Sequence, residues 1–395
     1  MVARRETKLE RSRFEGAEVA GARHNEGVTR TKEPPGRGRR PTIVDVAAAA
    51  GVSKSLVSLA LRGDRGVSEA TSARILAAAE RLGYRSNTLA RSLVQGRTMM
   101  LGVLLTDLAN PYHTEVVAGV EESADAEGFT VLLAHGQRDR ARLARQLDAL
   151  LRLNVDGVVV VSSWLEPRAL ADAAGRIPVV MVGRPEEFAP GVDTVANDDR
   201  AGAEAAVRHL AGLGHERIAH LSGTGRPASR ARRRGYQETM EGLGLAGHVT
   251  VREIDDAPHG RERAADALLG TEPTAVFAVN DLAALAVLDR AYAAGTTGLS
   301  VVGYDNTFLA QTVRPRLTSV DQPRSVMGNL AVRLLSERMG GRTEDRHEVL
   351  VPRLVVRDST SPPSPLAERG PQGSPPSPPP EGREGHRPRP GRRTP

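Results

Sequence analysis

Cysteine is absent from this 395-residue chain, which removes disulfides, cysteine-ligated zinc and thiol nucleophiles from consideration together. Aromatic residues make up 3% of the sequence, with a single tryptophan, so stacking platforms for single-stranded nucleic acid are scarce. No run of about eighteen uncharged apolar residues occurs. The opening MVARRETKLERSRFEG carries charges where a secretory signal needs an apolar core. These absences predict a cytoplasmic protein without a membrane partner. The ten histidines show no metal-ligand spacing with carboxylates, and no nucleophile elbow is found. GTGRPAS lacks the lysine-serine ending of a phosphate loop. No catalytic residue, metal or cofactor is therefore expected, and the chain is not read as an enzyme.

What is present is an uneven charge: 54 Lys and Arg against 48 Asp and Glu, net +6. The excess sits in roughly the first hundred residues, while the long middle is acidic on balance, which suggests a polyanion partner at the N-terminal end only. Residues 1–41 are polar, arginine-rich and without apolar periodicity, and are expected to be a disordered basic arm. Residues 359–395 turn to Pro, Ser, Gly and Arg and are expected to be a disordered tail.

Residues 42–86 read as three short helices, each opened by a capping residue: Thr42 with Asp45 three residues on, then Ser53, then Ser68. Gly51 permits a sharp turn between the first two. Val46, Ala47, Val52, Val57 and Leu61 supply the apolar inner face. These are the parts of a helix-turn-helix, and an ordinary helical hairpin shares them. A further short segment, NTLARSLVQG, runs from Asn87 to Gly96 within an expected hinge and linker at 87–97, and is too short to hold a helix alone. From residue 98 to 358, short Val- and Ile-rich runs stopped by Gly, Asp or Ser alternate with amphipathic stretches. Parallel sheets buried on both faces have this pattern. The fold class is thus α/β, with a small all-α head.

IVDVAAAAGVSKSLVSLALRG, SEATSARILAAAERLGY and SNTLARSLVQGRT resemble the head and hinge of the lactose-repressor (LacI/GalR) family. LTDLANPYH, VDGVVVVSS and VVGYDNTFLAQTVRPRLTSVDQP continue that resemblance in the family's order. The resemblance implies a sequence-specific transcriptional regulator, a repressor more than an activator. It would act as a homodimer on a pseudo-palindromic operator in double-stranded DNA. By position, Thr42, Ser53, Lys54, Ser55, Leu56, Ser58 and Leu59 would meet DNA. Lys54 donates to guanine edges or phosphate, while a leucine touches only a thymine methyl or seals the interface. Many members carry arginine where this chain has Leu59, so its operator is not copied from relatives. In the hinge, Asn87 and Ala90 face the minor groove and Leu93 wedges between central base pairs; the alternative is that Leu89 and Leu93 pack on the body.

For the body, the resemblance implies a two-lobed, doubly wound, periplasmic-binding-protein-like core. Three crossings would join the lobes, near 197–200, near 321–323 and near Gly340, and an effector would lie between them. Asn110, Tyr112, His113, Arg232, Asp281, Asp305 and Phe308 are the candidate effector residues, with Asp107 alongside. Carboxylates accept paired hydroxyls, Arg232 forks onto oxygens and an aromatic ring covers a sugar face. The effector is expected to be sugar-like or a nucleoside, inducing or corepressing. No aromatic stacker is evident around 255–260, and Trp164 rims the cleft or docks in a subunit interface. The competing class is a solute-binding sensor acting without gene regulation, which shares the core but has no use for the head.

The hinge reading is testable. Leu93→Ala should weaken cognate operator binding selectively and reduce operator bending, leaving nonspecific binding nearly unchanged, as measured by gel mobility of permuted operator fragments. Undiminished bending would return Leu93 to a packing role.

Overall fold

The computed structural model describes residues 41–62, 66–84, 97–162 and 164–364. Contacts divide the chain into two units, residues 1–87 and 88–395. The expected arm and the hinge residues Asn87, Ala90 and Leu93 lie outside the described residues.

In the first unit, α1 (Ile43–Ala50), α2 (Lys54–Arg62) and α3 (Glu69–Arg81) close on one small core. The Asp45 carboxylate reaches back to accept from the Thr42 backbone N–H and hydroxyl, both at 2.7 Å, which fixes the start of α1. Gly51 ends it with φ +66°, a left-handed conformation that a side chain resists. The chain bends by 101° there. Ser53 then accepts from Leu56 N–H at 3.2 Å and opens α2. Val46, Val57 and Ile75 are fully buried, and Ala47, Ala50, Ala60, Ala78 and Ala79 let the three helices approach closely. Of the predicted inner face, Val52 and Leu61 are only partly buried, because α3 takes the central place with Ile75.

The second unit has two six-stranded sheets. The first is built from β1 (Met100–Leu105), β2 (Thr130–His135), β3 (Gly157–Val161), β4 (Val179–Val182), β5 (Val192–Asn197) and β11 (His347–Leu350). Its order is β11-β5-β4-β3-β1-β2, all parallel. The second contains β6 (Ile218–Ser222), β7 (Thr250–Glu253), β8 (Ala275–Ala278), β9 (Ser300–Asp305), β10 (Thr318–Asp321) and β12 (Arg353–Val355). Its order is β12-β10-β9-β8-β6-β7, parallel except for β12. Strands such as β3, five buried residues long, carry helices on both faces, as the unbroken apolar runs required.

The helices of the first lobe are α4 (Pro111–Ala126), α5 (Arg140–Arg152), α6 (Pro167–Ala174) and α12 (Arg324–Met339). Those of the second are α7 (Asp199–Gly212), α8 (Pro227–Gly242), α9 (Gly260–Leu269), α10 (Asp281–Ala293) and the short α11 (Phe308–Thr312). Helices α4 and α12 cross at touching distance. A Cβ on Gly119 would lie 2.3 Å from the Ser325 carbonyl oxygen, and one on Gly328 2.3 Å from that of Val116, so both must be glycine.

The chain crosses between lobes after β5 and again after β10, near the two places expected first. The third crossing is not near Gly340. There α12 merely ends, and the chain adds β11 to the edge of the first sheet before crossing between Leu350 and Arg353. The expected tail also begins too early at 359. The Ser359 hydroxyl donates to Val301 O and accepts from Thr318 N–H, while Ser361 O is within 2.9 Å of Ser300 Oγ and 2.8 Å of His215 Nε2. Short hydroxyl side chains bind backbone as well as water does, so the core extends through Ser364 despite its composition.

Asp193 on β5, fully buried, pins the end of α12. It accepts from Arg338, from Arg342 and from the Arg346 backbone N–H at 2.8 Å. Burial alone would raise its pKa, but these donors outweigh it and hold the carboxyl down at about 2. A depressed pKa makes this contribution complete at neutral pH and lost as pH falls through about 2. Asp193→Asn should destabilise the body by about 2–4 kcal/mol, because two largely buried arginines lose their buried partner and keep only the more exposed Asp345 and Glu337. Urea unfolding with an unchanged slope would check this, and a loss below about 1 kcal/mol would show that Asp345 and Glu337 suffice for Arg338 and Arg342.

Candidate functional sites: the second head helix and the interlobe cleft

On the head, the capped start of α2 presents Ser53, Lys54 and Ser55 to solvent, with Leu56, Ser58 and Leu59 half-buried. Lys54 and Ser55 thus stand where a donor pair can reach outward, whereas Leu56 and Leu59 divide their surface between core and exterior. Thr42 is engaged with Asp45 and only partly exposed.

In the body, the C-terminal ends of both sheets face one cleft, as doubly wound sheets require. It encloses about 330 Å³, enough for a ligand of sugar size. The first lobe lines it with Thr106 and Asp107 after β1, Asn110, Tyr112 and His113 at the start of α4, Ser162 and Trp164 after β3, and Arg184 after β4. Asn197, Asp199, Thr224, Arg226, Ser229, Arg232, Asn280, Asp305 and Gln322 complete it.

At its floor, the Asp199 carboxylate divides its two oxygens: Oδ1 accepts from Arg232 Nε at 2.9 Å and Oδ2 from Arg184 Nε at 3.1 Å. Arg232 Nη1 donates to Val279 O at 2.5 Å and lies 3.8 Å from Asp305 Oδ1, and its guanidinium stacks 3.6 Å above the Tyr304 ring. Burial works against the charge of Arg232, but Asp199 and Asp305 outweigh it and raise its pKa, so it stays cationic. Its Nη2 makes no hydrogen bond among the described residues. Asp305 sits at φ +100°, a strained conformation for a residue with a side chain, and its Oδ1 accepts from Gln322 Nε2 at 2.6 Å. Burial raises its carboxyl above the usual range; Arg232 opposes this and Asp281 adds to it.

The predicted residues divide. Asn110, Tyr112, His113, Arg232 and Asp305 all line the cleft. Asn110 also caps α4 by accepting from Tyr112 N–H at 3.1 Å, so one side chain both starts the helix and lines the cleft. Burial lowers the His113 pKa, and its Nδ1 lies 2.6 Å from Asp107 O, leaving a neutral ring. Asp281 and Phe308 do not line the cleft. Asp281 is 1% exposed and turns into the lobe, accepting from Thr307 N–H and hydroxyl and from Ser319 Oγ, while its neighbour Asn280 caps α10 and faces the cleft. Phe308 is 58% exposed, at the start of α11 where its N–H donates to Glu115. Trp164, left between two places, lines the cleft under Arg226, 4.2 Å from its ring.

Asn197 was missed. It is buried at the end of β5, where Nδ2 donates to the Tyr304 hydroxyl at 2.6 Å and Oδ1 has no hydrogen-bond partner among the described residues. Its position at a strand end beside the first crossing was the available signal. Among the described residues no group of three or more His, Asp or Glu is placed to hold a metal, and no single helix is long and apolar enough to cross a membrane.

Comparison with known proteins bears on the whole arrangement. The description "Bacterial regulatory proteins, lacI family" matches residues 42–87, and "Periplasmic binding protein-like domain" matches residues 207–360. The chain is 33% identical over 334 residues to the HTH-type transcriptional regulator DegA of Bacillus subtilis, covering 82% of this chain and 99% of that one. This chain belongs to the lacI family of transcriptional regulators. The LacI-family regulator is also 33% identical over 333 residues to the Ribose operon repressor of Escherichia coli, covering 80% of this chain and 99% of that one. Its structure resembles a Lac repressor dimer bound to operator and the anti-inducer ONPF, with TM-score 0.72 and 25% identity over 82% of this chain and all of that one. It also resembles the complex of the regulator CelR with cellobiose, with TM-score 0.60 and 32% identity over 81% and 100% of the two chains. Members of this family are DNA-binding regulators rather than enzymes.

The divided Asp199 carboxylate allows a paired test. Asp199→Asn should cost about 3–5 kcal/mol, because Arg232 is buried and loses its main counter-charge, whereas Arg184→Gln, with a third of its side chain exposed, should cost about 1 kcal/mol or less. Equal losses in thermal or urea unfolding would mean that Arg232 does not depend on Asp199.

Proposed function

We propose that this LacI-family regulator is a cytoplasmic homodimeric repressor that reads a pseudo-palindromic operator with its paired heads. Its operator affinity is set by a small polyhydroxylated effector in the interlobe cleft. Lys54 and Ser55 are the outward donors for base edges and phosphates, and the hinge bearing Asn87, Ala90 and Leu93 follows in sequence. The observation that carries the effector reading is a buried acceptor without a partner among the described residues, Asn197 Oδ1, in a residue that lines the cleft together with the cationic Arg232. Leaving that acceptor unpaired is costly, and a hydroxyl can donate to it while accepting from a guanidinium. The ligands named for similar structures, cellobiose and ribose among them, have this chemistry. A transport-associated solute receptor would use the same cleft but has no need of a capped helix-turn-helix. Coupling follows from linkage: an effector that prefers one lobe arrangement changes DNA affinity by the same factor by which DNA changes its own.

Arg232→Lys tests this while keeping a cation beside Asp199. A thermal-shift panel of sugars, sugar phosphates and nucleosides on the wild-type protein should find a ligand that stabilises by about 2.7 kcal/mol at a hundred times its dissociation constant. The lysine variant should need at least about tenfold more of it to change operator binding in gel-shift titrations, because a point charge replaces the fork. A response at the wild-type concentration would remove Arg232 from the site.

A further inference from the structure

The two ends of the cleft differ in charge. At the floor, Arg184 and Arg232 face Asp199 and Asp305, and the charges balance. Away from the floor three arginines from both lobes line the same cavity: Arg138 after β2, Arg226 before α8 and Arg261 in the first turn of α9. Two of them share a carboxylate partner, Asp256, one of whose oxygens lies 3.2 Å from Arg138 and 3.6 Å from Arg226.

The other charged groups nearby are committed or weakly placed. Asp107 also lines the cavity and brings a second carboxylate, one oxygen of which accepts from Ala109 N–H, so the three arginines keep one positive charge in excess. Asp255 holds Arg263 with both oxygens, and Glu166 holds Arg140. His113 is neutral. Arg261 makes no hydrogen bond or ion pair among the described residues.

The crowding is felt at Arg226, whose pKa is pushed down to about 10, first by burial and then by Arg138, with only Asp256 opposing. Nothing from the side chains caps α8 at this corner; Arg226 is its N-cap residue, Pro227 follows, and Ala228 and Ser229 line the cavity. The free N–H groups there add to the same positive field. Guanidinium forks match the paired oxygens of a carboxylate or phosphate.

We propose that the effector is anionic: a sugar-sized molecule whose carboxylate or phosphate group is received by Arg138, Arg226 and Arg261, while its hydroxyl end reaches Arg232 and Asn197. This rests on the cleft being the effector site. The anionic group displaces Asp256 as the partner of Arg226 and gives Arg261 a counter-charge, with Trp164 flooring the guanidinium.

The test is calorimetric titration of the full chain with matched pairs: glucose against glucose 6-phosphate and gluconate, galactose against galacturonate, ribose against ribose 5-phosphate. At least one charged member should bind, its neutral counterpart at least about tenfold more weakly, and the affinity should fall as sodium chloride rises. Carboxylate and phosphate arms separate the two sources of charge. Arg261→Gln, which breaks no bond in the fold, should weaken the charged ligand about tenfold or more and the neutral one less than twofold; Arg226→Gln should do the same. A neutral sugar that binds as tightly as its acid, equal losses in Arg261→Gln for both, or no binding by any charged member overturns the inference. Failure of the cleft reading looks different: a charged ligand would bind, and Arg232→Lys would leave its affinity unchanged. A neutral ligand that needs Arg232 and ignores Arg261 leaves the cleft reading standing and removes the anion.

Discussion

Asp199 carries one negative charge at the point where the chain first passes between lobes, and it holds an arginine on each oxygen. Arg184 comes from the loop after β4 in the first lobe and Arg232 from α8 in the second. A carboxylate shared this way is a geometric constraint, because both bonds are satisfied only in one relative position of the lobes. The layer beneath is equally intolerant. A Cβ on Gly202 would lie 2.3 Å from the Tyr304 hydroxyl, so the start of α7 is pressed onto the ring that supports Arg232. That hydroxyl in turn orients Asn197, whose Oδ1 stays buried without a partner among the described residues. The ligand-facing groups are therefore positioned by the same contacts that set the lobe arrangement. Whatever binds Arg232 or Asn197 acts on that arrangement directly, without a longer route.

This explains what was legible in the sequence. Caps and turns are local, so Thr42 with Asp45, Gly51 and Ser53 announced the head from neighbouring residues alone. Buried parallel strands are also local, each a Val- or Ile-rich run with its own stop. Arg232, Asp305, Asn110, Tyr112 and His113 followed from strand ends and from family resemblance together. The errors came where a one-residue shift reverses a side chain's direction. Asp281 was favoured as the charged residue after β8, but it is Asn280 that faces the cleft, and Asp281 serves Thr307 and Ser319 inside the lobe. Nothing within its own segment reveals partners 26 and 38 residues away.

Phe308 and the 359–364 segment failed for a related reason: composition describes what a residue prefers, not what surrounds it. An aromatic ring at a helix start was assigned to a sugar face, yet α11 carries it outward. A Ser- and Thr-rich stretch was assigned to solvent, yet it meets backbone groups that need partners. The third crossing was misplaced because Gly340 looks like a boundary in sequence. In space, it ends a helix held by Asp193, and an edge strand still has to be added before the chain leaves the lobe.

The topology also assigns different mechanical roles to the two ends of the cleft. All three crossings lie toward one side of the body: the first leaves β5, the second leaves β10, and the third joins β11 to β12, the edge strands beside them. Rotation of one lobe on the other is therefore centred near that edge. Arg138 and Asp256 follow β2 and β7, the strands at the opposite edges. Six strands spaced about 4.8 Å apart put them roughly 24 Å from the hinge edge, so a rotation of about 5° displaces one against the other by about 2 Å. An ion pair at 3.2 Å is opened by a displacement of that size unless its side chains follow, whereas the bonds of Asp199, closer to the axis, are displaced less. The mouth of the cleft is thus where lobe closure is sensed most steeply. A charge placed among Arg138, Arg226 and Asp256 has the longest lever on the rest of the body, whereas a group bound at Arg232 acts through the shorter lever of the Asp199 contact.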